Sequence, residues 1–175
     1  MLLLYGPLGL FIPLMGERGH MQLNSEERRA TLRGLDAVHV TVGEPDATAL
    51  HLGFKSLETK SRIDELLHDA GIHAVEEESC RSQPLDSGFL VLKLATRSTA
   101  DFGIPVLAYS LRLNVLQTAV LGRELQKGSL MASWTETWNW STFGTSLESG
   151  FAERIAAVVS EMVKEFISDY SQANP

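Results

Sequence analysis

The stretch SWTETWNWST, Ser133 to Thr142, carries all three tryptophans of the chain and sets a carboxylate, Glu136, between two of them. A carboxylate enclosed by indole rings loses hydration, and that loss raises its pKa. Enzymes prepare a general acid in this way. Strand twist or a bulge could instead carry Glu136 to an edge, where Arg112 or Lys93 would meet it. Glu136, Trp138, Trp140 and Arg112 are therefore the candidate ligand-binding residues. Core packing is the competing use of the rings, since each can bury about 150–250 Å².

Other chemistry is sparse. The histidines are His20, His39, His51, His68 and His73. None forms the i, i+4 pair or the HExxH pattern of a zinc site, so no metal and no cofactor are expected. Glu76, Glu77 and Glu78 read as carboxylates at a strand end. Adjacent strand residues point to opposite faces, so they would not converge on a cation. Cys80 has no partner cysteine, which excludes an intrachain disulfide and a thiolate zinc site. Arg81 beside it could lower its pKa. Neither a Gly-x-Ser-x-Gly elbow nor a GxxxxGK[ST] or GxGxxG phosphate loop occurs, and no catalytic residue is assigned.

A net charge of −7 with scattered lysines and arginines argues against nucleic acid, which demands a basic stripe. At 175 residues and 44% hydrophobic content, the chain suits one domain with a substantial core. Its first residues, MLLLYGPLGLFIPLM, are apolar but shorter than the ~20 needed to span a bilayer. Two readings stand. Residues 1–22 are an apolar N-terminal segment, either an extension whose first 20 residues precede a start at Met21, or a degenerate export signal without the basic and cleavage-site flanks. Residues 23–175 are expected to form a single α+β domain.

The elements that must position these residues follow from periodicity. Asn24 or Ser25 could cap a short first helix that Gly34 ends. In LDAVHVTVG, Val38, Val40 and Val42 alternate with Ala37, His39 and Thr41, a strand pattern. EPDATALHLGF reads as a loop. SLETKSRIDELLHDAGI places Ile63, Leu66, Leu67 and Ala70 on one helical face. Ser56 is the expected N-cap, and Gly71 the left-handed stop, with Ile72 making the apolar contact beyond it. IHAVEEE is then a second strand, completing a βαβ crossover. FLVLKLATR is a nearly continuous apolar strand, hence central. In VLAYSLRLNVLQTAVL, Leu107, Tyr109, Leu111, Leu113 and Val115 share one face. GRELQKGS suits a hairpin turn. Period two then predicts a fifth strand with Leu130, Ala132, Trp134, Trp138 and Trp140 on the core face, Trp134 most buried and Trp140, beside a turn at Ser141–Gly144, least. Phe151, Ile155, Val158, Val159, Met162, Phe166 and Tyr170 make the stripe of a final helix. The expected fold is a two-layer α+β sandwich with the helices on one face of a mixed, mostly antiparallel sheet of about five strands, two main helices standing in the order β-α-β-β-β-α.

The segments ATLRGLDAVHVTV, AGIHAVEEE, GFLVLKLAT, YSLRLNVLQTAVLGR, ASWTETW and VSEMVKEFISDYSQANP, in this order, resemble an uncharacterised family of small exported bacterial proteins. The shared features are a GL-x-x-V-x-V opening, a helix ending in AGI, a Y-S-x-x-x-x-V-x-Q strand and a closing F-I-x-D-Y…N-P helix. The layout is also similar to the N-terminal domain of TolB-like periplasmic proteins. The resemblance implies an envelope protein without catalytic residues; the periplasm or cell envelope is the expected location, with the cytoplasm as the alternative.

Two functions are carried forward. The first is a non-enzymatic, envelope-associated binding or scaffold module that engages a protein partner or itself, with no nucleic acid and no integral membrane span. The second is a small-molecule sensor or enzyme with a site near Glu136, Trp138 and Arg112. An intracellular regulatory or assembly subunit is a third reading.

Overall fold

A computed structural model describes residues 25–98, 106–120 and 132–175. In chain order it has helix α1 (Ser25–Ala30), strand β1 (Ala37–Val42), α2 (Ala47–His51), α3 (Ser56–Asp69), β2 (His73–Ala74), α4 (Glu77–Ser82), β3 (Ser87–Ser98), β4 (Leu107–Val120), β5 (Ala132–Ser146) and α5 (Phe151–Ala173). The expected cap at Asn24, the loop after β3, the turn over Gly122–Gly128, Leu130 and the N-terminal apolar stretch lie outside the described residues.

The strands form one mixed sheet, in the order β2-β1-β3-β4-β5. β1 runs parallel to β2 and to β3, whereas β4 is antiparallel to β3 and to β5. The long ladders are the antiparallel ones. The expected α+β sandwich with a five-stranded mixed sheet is thus the fold, and β3 is central as its apolar run requires. Counting only the two long helices, the order is β-α-β-β-β-β-α, one strand more than the order read from sequence.

One sheet face packs under α3 and α5. Val38 and Val40 of β1, Leu90 and Leu92 of β3, Leu107 to Val115 at alternate positions of β4, and Trp138 of β5 share one core cluster with Ile63 and Leu67 of α3. Phe151, Ile155, Val159, Met162 and Phe166 close that core from α5, as the helical stripe demands. Helix α3 ends in a Schellman cap. Gly71 adopts a φ of 73°, its N–H bonds the His68 carbonyl at 2.9 Å, and the buried Ile72 donates to the Leu67 carbonyl at 2.9 Å. Its N-cap is Lys55 rather than Ser56.

Three expectations are corrected. EPDATALHLGF contains α2, because the Asp46 side chain caps it by accepting the Ala49 N–H at 2.9 Å. The second strand stops after His73–Ala74, and Glu77 and Glu78 begin helix α4 instead of ending a strand. That placement suits acidic side chains in a first helical turn. Finally, α4 lies on the face opposite α3. The crossover from β1 to β2 moves outward through α3, and the one from β2 to β3 moves back across β1 through α4. Right-handed connections in opposite directions put the two helices on opposite faces.

Candidate functional site

The pairing of β4 with β5 decides which tryptophan faces what. Val115 lies opposite Trp138, but Leu116 lies opposite Glu136, so Thr137 is an extra residue on β5. A bulge of this kind shifts the side-chain alternation by one. Trp134 and Glu136 therefore point to one face, and Trp138 and Trp140 to the other. The expected common face for all three rings is wrong for this reason. Trp138 is fully buried, while Trp134 and Trp140 are half-buried. The expected turn at Ser141–Gly144 is also strand, and Gly144 sits directly across from Tyr109.

Glu136 is held on the face opposite the helical layer. Arg112 Nη2 donates to its Oε1 at 2.5 Å, Asn139 Nδ2 to the same oxygen at 3.0 Å, and Asn114 Nδ2 to Oε2 at 3.0 Å. The expected partner Arg112 is thus in contact, by way of the bulge. Trp138 and Trp140 lie across the sheet from this pair, so the four candidate residues do not converge. The Arg112 side chain is 47% exposed and that of Glu136 is 29% exposed. This is a solvated ion pair on a sheet surface, not a carboxylate enclosed by indoles. Asn114 is buried beside it, and its Oδ1 has no partner among the described residues. Lys93 is the cross-strand neighbour of Arg112. Of these two cations, only Arg112 bonds Glu136.

Farther along the same face stands an apolar row. Phe89 of β3 is paired with Leu116 of β4, and Trp134 of β5 meets the Phe89 ring edge-on at 4.8 Å. His39 also touches Phe89 edge-on, at 5.6 Å, and its Nδ1 lies 2.9 Å from the Val75 carbonyl oxygen. Helix α4 borders the row. The Arg81 guanidinium sits over Phe89 at 5.4 Å and pairs with Glu77 at 2.7 Å. The hydrogen bond from Arg81, and then its charge, hold the Glu77 carboxyl below its ordinary range. Phe89, Leu116, Trp134, Glu77 and Arg81, with Thr41 and Val91, line an open groove of about 350 Å³. Cys80, expected only as a lone thiol, is buried on the inner side of α4.

The helical face carries a second cluster that sequence reasoning missed. Trp138 Nε1 donates to Asp169 Oδ2 at 3.0 Å, and Arg28 Nη2 reaches the same oxygen at 2.7 Å. The Arg28 guanidinium also lies over the rings of Trp138, at 5.6 Å, and Trp140, at 5.2 Å. Asp169 is 5% exposed. It answers the indole N–H, which needs a partner once buried, and it ties α1 to α5. A signal existed: Asp169 sits three residues after Phe166 and four before Ala173, within the apolar stripe. A charge there needs a buried partner.

Asp46 is a third polar anchor. Besides capping α2, it accepts the Thr96 N–H at 2.7 Å and the Thr96 hydroxyl at 2.6 Å. Burial pushes its pKa up. The Thr96 hydroxyl and then the backbone N–H groups of Ala49, Thr96 and Thr48 outweigh that and leave it lowered.

No group of His, Cys, Asp and Glu able to hold a metal ion occurs among the described residues, and no helix among them is long and apolar enough to cross a membrane. Comparisons with protein-family models, with curated proteins and with solved structures return no match.

Proposed function

We propose that this chain is a non-enzymatic binding module whose working surface is the sheet face opposite α3 and α5. One observation carries the reading. Phe89, Leu116 and Trp134 stand side by side on that face, where the described helices supply only the short α4 at one end. Clustered apolar side chains left in contact with water mark an interaction surface more often than chance.

The occupant that fits is a peptide segment of a protein partner. Its large apolar side chain would lie on Phe89, Leu116 and Trp134, and a carboxylate would reach Lys93. Phe89 and Lys93 are four residues apart on one strand, hence about 13 Å. Lys93 and Arg112 stand side by side, and Glu136 is bonded to only one of them. A small-molecule site built from Glu136, Trp138 and Arg112 has less support, because Trp138 is buried on the other side of the sheet. Placement in the cell envelope rests on the resemblance to exported proteins, and fractionation of the tagged full chain tests it.

The binding test uses peptides of about twelve residues selected from a random library against the full chain. The expected peptides carry an apolar anchor and an acidic residue, and lose at least tenfold in affinity for Leu116→Asp and for Lys93→Glu. Peptides that bind both variants as well as the original would overturn the proposal.

A further inference from the structure

The two edges of the sheet are built differently. One edge is β2, only two residues long, with α4 following closely. A strand that short presents almost no free backbone. The other edge is β5, which runs for 15 residues and pairs only with β4 among the described residues. Proteins ordinarily blunt such an edge with lysine, proline, inward charge, short length or a bulge. β5 contains no lysine, arginine or proline. Its single charge is Glu136, already neutralised by Arg112. Its bulge lies at Thr137, so it disturbs only the first part of the strand.

What remains, Trp138 to Ser146, pairs with β4 in unbroken register and carries no charge. Aromatic and threonine side chains recur along it, the types that favour strand pairing. Phe143 lies within it. Among the described residues it is the most exposed of the large apolar side chains, at 88%. Phe143 faces away from α5, on the strand that ends the sheet, so among the described residues no strand flanks it on the outer side.

We propose that β5 pairs edge to edge, antiparallel, with β5 of a second copy of this chain, through Trp140–Ser146 and with Phe143 at the two-fold axis. The occupant is a second copy for two reasons. An antiparallel pair of identical strands is self-complementary under a two-fold axis, and the axis places the two Phe143 rings directly opposite. Cross-strand aromatic pairs are among the stabilising ones. Charge selects the same segment. Two copies that each carry −7 repel over most of their surface, and this stretch has no carboxylate to bring near its twin. Joined in this way, the two sheets become one sheet twice as wide. The two Phe89–Leu116–Trp134 rows then lie on the same side of it, so the dimer would present two peptide sites together.

Sedimentation of the full chain over a dilution series from about 1 to about 500 µM brackets weak to moderate self-association. The expected result is a reversible dimer. Phe143→Lys sets two ammonium groups against each other at the axis. It should raise the dissociation constant at least tenfold while leaving the circular dichroism spectrum unchanged. Thr145→Lys, exposed on the same face of β5, should act in the same direction and serves where the first variant fails to fold. Register is read independently by Phe143→Cys, because directly opposed cross-strand positions approach to disulfide range. Mild oxidation should link Phe143→Cys into dimers, whereas Leu85→Cys, exposed beyond α4, should stay unlinked. A chain monomeric across the series, or a dimer that both lysine variants leave intact, overturns the proposal. So does crosslinking of Leu85→Cys as fast as Phe143→Cys.

Discussion

At the scale of single residues, the fold depends on polar groups placed where apolar ones would be routine. Trp138 is the largest fully buried side chain, and its indole N–H is satisfied by a carboxylate that Arg28 also pairs. Removing one member of such a pair leaves the others uncompensated. Asp169→Ala should therefore cost about 2–4 kcal/mol, less than for a fully dry pair because the Arg28 side chain is 21% exposed. Urea unfolding checks the magnitude. The same geometry orders the three indoles. In variants retaining one tryptophan each, Trp138 should emit furthest to the blue and resist iodide, with Trp134 and Trp140 quenched more readily. A freely quenched Trp138 in a folded protein would invert the faces assigned to β5. Asp46 makes a prediction in pH. Its folded pKa lies below the ordinary 3.8, so its contribution is complete above that value and is lost as pH falls through the folded value. The difference in melting temperature between the parent and Asp46→Asn should hold steady at neutral pH and shrink toward zero in acid below that range. A difference that grew on acidification would contradict the assigned bonds.

At the scale of elements, β4 and α5 were legible because each repeats one period without interruption. Leu107, Tyr109, Leu111, Leu113 and Val115 all reach the core that alternation assigned them. The helical stripe from Phe151 to Phe166 did the same. β5 departs from its sequence pattern at two points, the bulge and the continuation of the strand through Gly144. Counting by twos presumes that no residue is inserted, and the extra residue at Thr137 is visible only in the pairing with Val115 and Leu116. That single shift moved Trp134 off the core face and separated Glu136 from Trp138. The short helices α2 and α4 were missed because about one turn of chain carries too little periodicity to read. They are fixed by Asp46 and by the return crossover. Gly144 belongs here too, since a turn signal in sequence proves to be a strand glycine under a ring. A Cβ at that position would lie 2.6 Å from the Tyr109 hydroxyl oxygen and 2.7 Å from ring carbon Cζ. Tyr109 is buried and packs edge-on against Phe151 at 6.4 Å, so it has little freedom to retreat. Gly144→Ala should cost about 1–3 kcal/mol, as overpacking does. A neutral result would show that the Tyr109 ring moves freely.

At the scale of the whole molecule, the proposed role assigns stability to one face of the sheet and recognition to the other. Leu113 and Leu116 test that division on a single strand, three residues apart and on opposite sides. Leu113 is fully buried in the core beneath α5, whereas Leu116 is half-buried on the groove face. Leu113→Ala should cost about 2–5 kcal/mol, because it removes transfer energy and leaves a cavity. Leu116→Ala leaves a gap open to water, which collapses or fills without a void, and should cost below about 1 kcal/mol. Denaturant midpoints at matched slope separate the two. The contrast has a consequence for the proposed role. If Leu116 contributes little to folding, the groove face is free to meet a partner, and a folded Leu116 variant can be compared with the parent for peptide binding alone. If Leu116→Ala costs as much as Leu113→Ala, the groove face is covered within the chain itself, and the row of Phe89, Leu116 and Trp134 is a second core with no surface left for a partner.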